Sequence, residues 1–188
     1  MLMWLWPPRP ESAIPPSLIK SFEDRGYVGQ VKYNGTCQVV SVDAALGVTF
    51  QTRHNELNKA WTPLPEIAKY FSNFPDSVFV GELLHNKHAS VKNTIILFDV
   101  LHYQGQSLVG KTLSERLMIL RSLPMTKNVQ VIETHTRDLT GLYNSLSKPT
   151  EEGLVLKDPN AQLKSCLRNG LNASWQVKCR RATKNYGF

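Results

Sequence analysis

Charged side chains interrupt the apolar runs of this sequence at a series of predicted strand ends. Lys32 follows "GQV", Glu82 lies inside "VFVGELL" and Asp99 inside "IILFDVL". Glu152 and Lys157 bracket "GLVL", and Lys178 and Arg180 alternate in "WQVKCR", so the last two point to one face of their strand. An unpaired buried charge is costly, and any one of these residues alone reads as an ordinary ion pair or an edge position. Five such elements together point to a polar cleft lined by a sheet. The string "GQSLVGKT" (105–112) has the letters of GxxxxGK[ST], but without regular βαβ alternation around it the stretch does not read as a phosphate loop. A nucleotide bound in such a cleft would therefore have its phosphates held by side chains.

The totals agree with an anionic partner. The 188 residues suggest one domain, with 41% hydrophobic residues for a core and a formal net charge of +7. That balance favours nucleic acid, nucleotides or an acidic membrane surface, without choosing among them. Cys37, Cys166 and Cys179 are odd in number and lack CxxC spacing, which argues against a disulfide framework or a structural zinc. No apolar run approaches a membrane span. The opening "MLMWLWPPRP" lacks a basic leader and a cleavage site, so it does not read as a signal peptide. An intracellular, cytoplasmic, non-membrane protein is expected.

The elements that must position these charges alternate between strand and helix signals. Residues 1–16 read as a proline-rich extended arm, with Trp4 and Trp6 packing it onto a domain over 17–188. A short helix is predicted over 17–26, with Ser17 as N-cap and Gly26 as stop. "YVGQVKY", "TCQVVSVD" and "GVTFQTR" predict a three-strand meander, with a tight turn at Asn34 and Gly35. Helical spacing recurs over 65–74, and 77–85 and 94–103 read as central strands. Residues 112–123 predict an amphipathic helix with Leu113, Leu117 and Leu120 on its apolar face and Glu115 and Arg116 off it. A strand over 128–134, a short helix over 139–147, and strands over 152–158 and 174–180 follow. A polar loop over 159–173 carries Lys164 and Arg168. The fold class is α+β with mostly antiparallel connections, and the lack of βαβ alternation disfavours a doubly wound sheet. His54, His85, His88, His102 and His135 show no ligand spacing and read as surface or satisfied polar residues.

The order of the elements resembles the covalent nucleotidyltransferase superfamily of ATP-dependent DNA and RNA ligases and mRNA capping enzymes. "KYNG" (32–35) resembles the KxDG nucleophile motif, and "QTRHNE" (51–56) the motif whose arginine reaches the nucleotide. "FVGELL" (79–84), "LFDVLHYQG" (97–105), "EEGLVLKD" (151–158) and "WQVKCR" (175–180) resemble the DGE, FDxL, EGxVxK and terminal KxK motifs. A KxDG tetrapeptide alone is a weak signal; six motifs in order, over about residues 28–181, are a strong one. The stretch "SLVGKTLSERLMILRSL" resembles the LxxRxxxL helix of DNA ligases in particular. The resemblance implies an antiparallel-sheet nucleotidyltransferase (adenylation) domain of ATP-grasp-like ligase type.

It also implies roles. Lys32 would attack the α-phosphate of ATP and carry AMP as a lysyl phosphoramidate. A free lysine titrates near 10.4, and nearby cations disfavour its ammonium form. Lys178, Arg180 and Lys157 would supply that field and clamp the phosphates. Glu82 and Glu152 would hold Mg²⁺ or Mn²⁺ and contact the ribose. Phe98 would stack on adenine, or pack as plain core. Gln30 would read the adenine edge, and Arg53 would contact the ribose or a bound 5′-phosphate. Lys164 and Arg168 are either a solvated turn or contacts that grip phosphates without reading sequence.

Two features depart from the pattern. Asn34 stands where the motif has aspartate, which keeps hydrogen-bonding geometry and loses charge. The basic motif is followed only by "RATKNYGF", where family ligases usually carry an OB-fold domain, so a minimal domain without it is expected. The leading expectation is a monomeric ATP-dependent ligase acting on nicked or broken polynucleotide, DNA rather than RNA, in repair or replication. The alternatives are an RNA ligase, a GTP-using capping guanylyltransferase and a non-catalytic nucleic-acid-binding relative.

Overall fold

The computed structural model describes residues 2–85, 87 and 90–181. His88 and the tail from Ala182 onward, on which two of the expectations above fall, lie outside the described residues. Two antiparallel sheets face one another. The first has three strands in the order β1 (Val28–Tyr33), β8 (Glu151–Lys157), β9 (Gln176–Arg180). The second runs β3 (Gly47–Thr52), β2 (Thr36–Asp43), β4 (Ser77–Leu84), β5 (Thr94–Tyr103), β6 (Gln106–Ser107), with β7 (Val129–Val131) parallel to β5. The α+β architecture with antiparallel sheets is thus the one expected.

Each sheet buries one face under helices. On the small sheet, α1 (Ile19–Asp24) and α4 (Leu139–Ser145) cover a core of Ile19, Leu139, Leu146, Leu154, Leu156 and Cys179. On the large sheet, α2 (Pro65–Ser72) and α3 (Leu113–Arg121) close a core that includes Phe71, Phe79, Leu97, Leu117 and Leu120. Because strand side chains alternate, committing Leu154 and Leu156 to the helix side sends Val155 and Lys157 the other way, towards the space between the sheets. The chain segment after β7 joins the two sheets. Ile132 donates its N–H to Leu97 of the large sheet at 2.8 Å, and His135 exchanges two backbone hydrogen bonds with Gly29 of the small one.

The predicted three-strand meander is corrected. β2 and β3 form a hairpin, but β1 pairs with β8 in the other sheet. The turn at Asn34 and Gly35 therefore carries the chain from one sheet to the other. Only glycine fits there, since a Cβ at Gly35 would stand 2.4 Å from the Leu83 carbonyl oxygen. Ser17 caps no helix; it lies in a 3₁₀ turn, Pro16–Leu18, whose proline start leaves that cap without a side-chain bond. The Gly26 stop is found at φ +83°.

The largest correction concerns Asp99 and Arg116. Both are buried, at 1% and 0% exposure, on the helix side of the large sheet. Arg116 donates from Nε to Asp99 Oδ1 at 2.7 Å and from Nη2 to Oδ2 at 3.1 Å, and from Nη1 to the Lys111 carbonyl at 2.8 Å. Its spacing from Leu113, Leu117 and Leu120 puts it on the apolar face of α3, where only a fully bonded guanidinium is tolerated. Asp99 is thus a structural partner and not a member of the cleft.

Candidate active site

The space between the sheets is a cavity of about 490 Å³. Three strands of the small sheet floor it with alternate residues: Gln30 and Lys32 from β1, Val155 and Lys157 from β8, Gln176, Lys178 and Arg180 from β9. Glu82 of β4, Phe98 of β5 and Arg53 after β3 line it from the large sheet. Eight residues singled out from the sequence thus meet in one cavity. Lys164 and Arg168 do not; both are exposed on the loop outside it.

Two β-bulges aim the side chains. Across β1 and β8, Lys32 pairs with Gly153 and Tyr33 with Glu151, so Glu152 is the extra residue. Gly153 next to it adopts φ +149°, and a Cβ there would stand 2.0 Å from the Cys179 carbonyl oxygen. Glu152 is turned towards Lys32 by this kink. Across β4 and β5, Val80 pairs with Asp99 and Gly81 with Leu97, which leaves Phe98 as the extra residue. That bulge puts Phe98 in the cavity and Asp99 behind it.

Glu152 is the hub of the charges. It is 8% exposed; Oε2 accepts from Lys32 Nζ at 2.5 Å and Oε1 from Arg180 Nε at 2.6 Å. Glu82 accepts from the Gly35 N–H at 2.9 Å. Burial pushes its carboxyl up to about 7, against the pull of Lys32, the Gly35 N–H and Lys87, with Glu152 adding to the rise. Burial likewise brings the Lys157 ammonium down to about 8, with Asp99 opposing and Arg116 assisting. Lys157 Nζ sits 5.0 Å from the centre of the Phe98 ring, so the ring face offsets part of that cost. Lys178 is shifted down by burial first and then by Arg180, Lys32 and Arg9.

The cavity also has an oriented amide. Gln30 is 2% exposed, and its Nε2 donates to Thr134 Oγ1 at 3.1 Å. Asn34 accepts from Lys87 Nζ at 3.2 Å through Oδ1, a contact that the aspartate of the common motif would make as an ion pair. Among the described residues no group of three or more His, Cys, Asp or Glu could hold a metal ion by itself. Glu82 and Glu152 remain as a two-carboxylate set. Glu82, raised by burial and answered by one backbone N–H, is the kind of group a cation would complete. Such a site suits Mg²⁺, which uses one or two carboxylates together with substrate phosphates and water.

Several residues at the site have no counterpart in the sequence reading. Thr134 becomes a partner of Gln30 only through the crossing after β7. Arg9, with Pro7 and Pro8, enters from the N-terminal arm. The signal for Arg9 in "PPRP" is a lone cation among residues that donate no backbone hydrogen bond.

Comparison with known proteins follows the same lines. A family model described as the ATP dependent DNA ligase domain matches residues 75–172. The SPbeta prophage-derived DNA ligase-like protein LigB of Bacillus subtilis (strain 168) is 27% identical over 162 residues, which cover 77% of this chain and 59% of LigB. The structure of a mycobacterial DNA ligase D complexed with ATP and MES superposes with a TM-score of 0.70 at 18% identity, over 92% of this chain and 60% of that one. An archaeal ATP-dependent RNA ligase shares the fold at a TM-score of 0.56 and 16% identity, over 92% of this chain and 48% of that one. The chain therefore spans about three-fifths of the length of LigB and of the ligase D chain. With a family model covering more than half of its residues, the chain belongs to the ATP-dependent DNA ligase domain family.

Proposed function

We propose that this domain carries out the adenylylation chemistry of an ATP-dependent polynucleotide ligase, with Lys32 as the nucleophile. The observation that carries the reading is the position of Lys32: one amine in a cavity ringed by cations, its Nζ held at 2.5 Å by Glu152. The neutral amine of Lys32 attacks the α-phosphorus of ATP. A P–N bond forms, the bond from that phosphorus to the bridging oxygen breaks, pyrophosphate leaves with the electron pair, and one amine proton passes to solvent while the other stays on the phosphoramidate nitrogen. AMP then moves to a 5′-phosphate, and a 3′-hydroxyl displaces it to seal the strand.

The other residues bind and orient. Phe98 stacks on the base, and Lys157 closes the far side of that ring. Thr134 holds the Gln30 nitrogen, which leaves the Gln30 carbonyl oxygen to accept from the 6-amino group of adenine; guanine presents an oxygen there instead. Arg53, Lys178 and Arg180 take phosphate oxygens as charge-assisted hydrogen bonds. Glu82 and Glu152 would hold Mg²⁺, which when bound supplies charge neutralisation at the phosphates. Engagement of Glu152 by other partners would release the Lys32 amine that it now holds.

The family assignment supports DNA as the strand that is joined. The test compares sealing of nicked DNA, nicked RNA–DNA hybrids and single-stranded RNA, with ATP or GTP as the nucleotide. Sealing of nicked DNA with ATP is expected. Sealing of RNA alone would move the reading to RNA ligation, and an adduct formed only with GTP would sink it.

A further inference from the structure

Arg9 reaches the cavity from a segment that belongs to neither sheet. The arm is fixed at both ends. Trp6 donates its N–H to the Cys166 carbonyl at 2.7 Å. Further on, Ser12 accepts from the Lys178 N–H at 3.0 Å, and Ile14 donates to the Lys178 carbonyl at 2.9 Å, so the arm covers the outer edge of β9. Between these anchors Pro7, Pro8 and Pro10 flank Arg9, and Pro7 and Pro8 are buried. Proline fixes φ and removes backbone donors, so the path of the arm over the cavity is set before any ligand binds. The arm also holds Lys178, whose Nζ donates to the carbonyls of Pro10 and Glu11 at 3.3 and 3.0 Å.

The Arg9 Nε is buried and has no hydrogen-bond partner among the described residues. A buried N–H of a cation is normally paired, and leaving it unpaired is costly. Arg9 is also among the cations that disfavour the charged form of Lys178, together with Arg180 and Lys32. An anion would satisfy the N–H and relieve the repulsion at once.

The topology indicates which anion. Lys32 stands on β1, at one edge of the small sheet, and the arm runs along the opposite edge, beyond β9. Three strand spacings of about 4.8 Å separate β1 from the arm. A phosphoryl displacement places the leaving group roughly in line with the nucleophile and on the far side of the phosphorus. We infer that Arg9 binds the β- and γ-phosphates of the nucleoside triphosphate, so that the N-terminal arm selects triphosphate over monophosphate and holds the departing pyrophosphate. This inference rests on the proposed attack of Lys32 for its direction, but its affinity test does not require catalysis.

The experiment measures ATP, AMP and pyrophosphate binding by calorimetry to the full chain and to Arg9→Ala, Arg9→Gln and Arg9→Lys, with urea unfolding midpoints to confirm that each variant folds. The wild type is expected to bind ATP more tightly than AMP. Arg9→Ala and Arg9→Gln should lose about tenfold or more in ATP and pyrophosphate affinity, with AMP affinity unchanged, and Arg9→Lys should recover part of the loss. The same variants should slow adduct formation from ATP and leave sealing of a pre-adenylylated 5′ end unaltered, since no pyrophosphate departs in that step. Equal ATP affinity in wild type and Arg9→Ala, or parallel loss of AMP, would overturn the inference. An adduct formed equally by wild type and Arg9→Ala rejects Arg9 and spares the ligase reading. A lost ATP preference in a chain that forms no adduct does the reverse.

Discussion

Lys32 Nζ and Glu152 Oε2 stand 2.5 Å apart, and the second carboxylate oxygen of Glu152 is taken by Arg180 at 2.6 Å. One buried carboxylate thus holds both the amine proposed to react and a cation proposed to bind phosphate. The bulge at Glu152, with the glycine conformation beside it, makes this bridge possible. The arrangement holds the Lys32 amine until other groups compete for Glu152.

Replacing Glu152 with glutamine keeps the shape and removes the charge. Lys32 and Arg180 are partly exposed, so water recovers some of the lost interaction. A stability loss of about 1–3 kcal/mol is expected in urea unfolding. Adduct formation should fall by about two orders of magnitude, consistent with the loss of positioning and charge at a reacting centre. Wild-type adduct formation by this variant would remove Glu152 from the chemistry.

Glu82 gives the fold a pH dependence. Its carboxyl lies near 7 in the folded protein against about 4.5 ordinarily, so the folded state binds more protons than the unfolded state between those values. Its contribution is therefore lost as pH rises from 4.5 to 7 and not, as for a salt-bridged carboxylate, as pH falls. The size is on the order of 2–3 kcal/mol. Chemical unfolding at several pH values should show a decline over this range that Glu82→Gln lacks. A cation bound at Glu82 would flatten the decline, which magnesium titration in the same assay checks.

Lys157 is a buried cation whose charge costs stability. It is 3% exposed, and burial brings its ammonium down to about 8 from 10.5. Its folded form prefers the neutral amine, so stability should rise as pH goes from 8 to 10.5. Lys157→Met keeps the stem and discards the charge. It should raise the melting temperature by a few degrees, equivalent to about 1 kcal/mol, and weaken ATP binding at least about tenfold. A variant that is less stable, with nucleotide binding intact, would contradict this account.

Arg116 has the opposite character. Arg116→Ala leaves the Asp99 carboxylate buried without the two bonds from Arg116 and opens a gap against Trp175, whose ring lies 5.5 Å from the guanidinium. A loss of about 3–5 kcal/mol is expected in urea unfolding. A double replacement, Asp99→Leu with Arg116→Met, should recover most of it. Failure of the double variant to recover would show that the pair does more than satisfy itself.

The sequence exposed the cleft better than the pairing that builds it. Lys32, Glu82, Phe98, Lys157, Lys178 and Arg180 were legible because each interrupts an apolar strand or matches a motif. The sheet to which each strand belongs was not legible. The turn at Asn34 and Gly35 has the residues of a hairpin, and only the approach of Leu83 and Glu82 shows why the chain leaves for the other sheet. Strict alternation also fails at bulges, which decide that Phe98 and not Asp99 enters the cavity. Arg116 shows the limit of polarity as a guide, since its spacing placed it on the apolar face and its charge argued it off. Arg9 was missed because a proline-rich arm has no periodicity to say where its side chains point.

The most direct measurement is the intact mass of the protein after incubation with ATP and magnesium, with the modified peptide then sequenced. A gain of one AMP on Lys32 is expected, with no gain in Lys32→Ala and with reversal of the adduct by added pyrophosphate. An unmodified wild-type chain, or AMP on any residue other than Lys32, would contradict it.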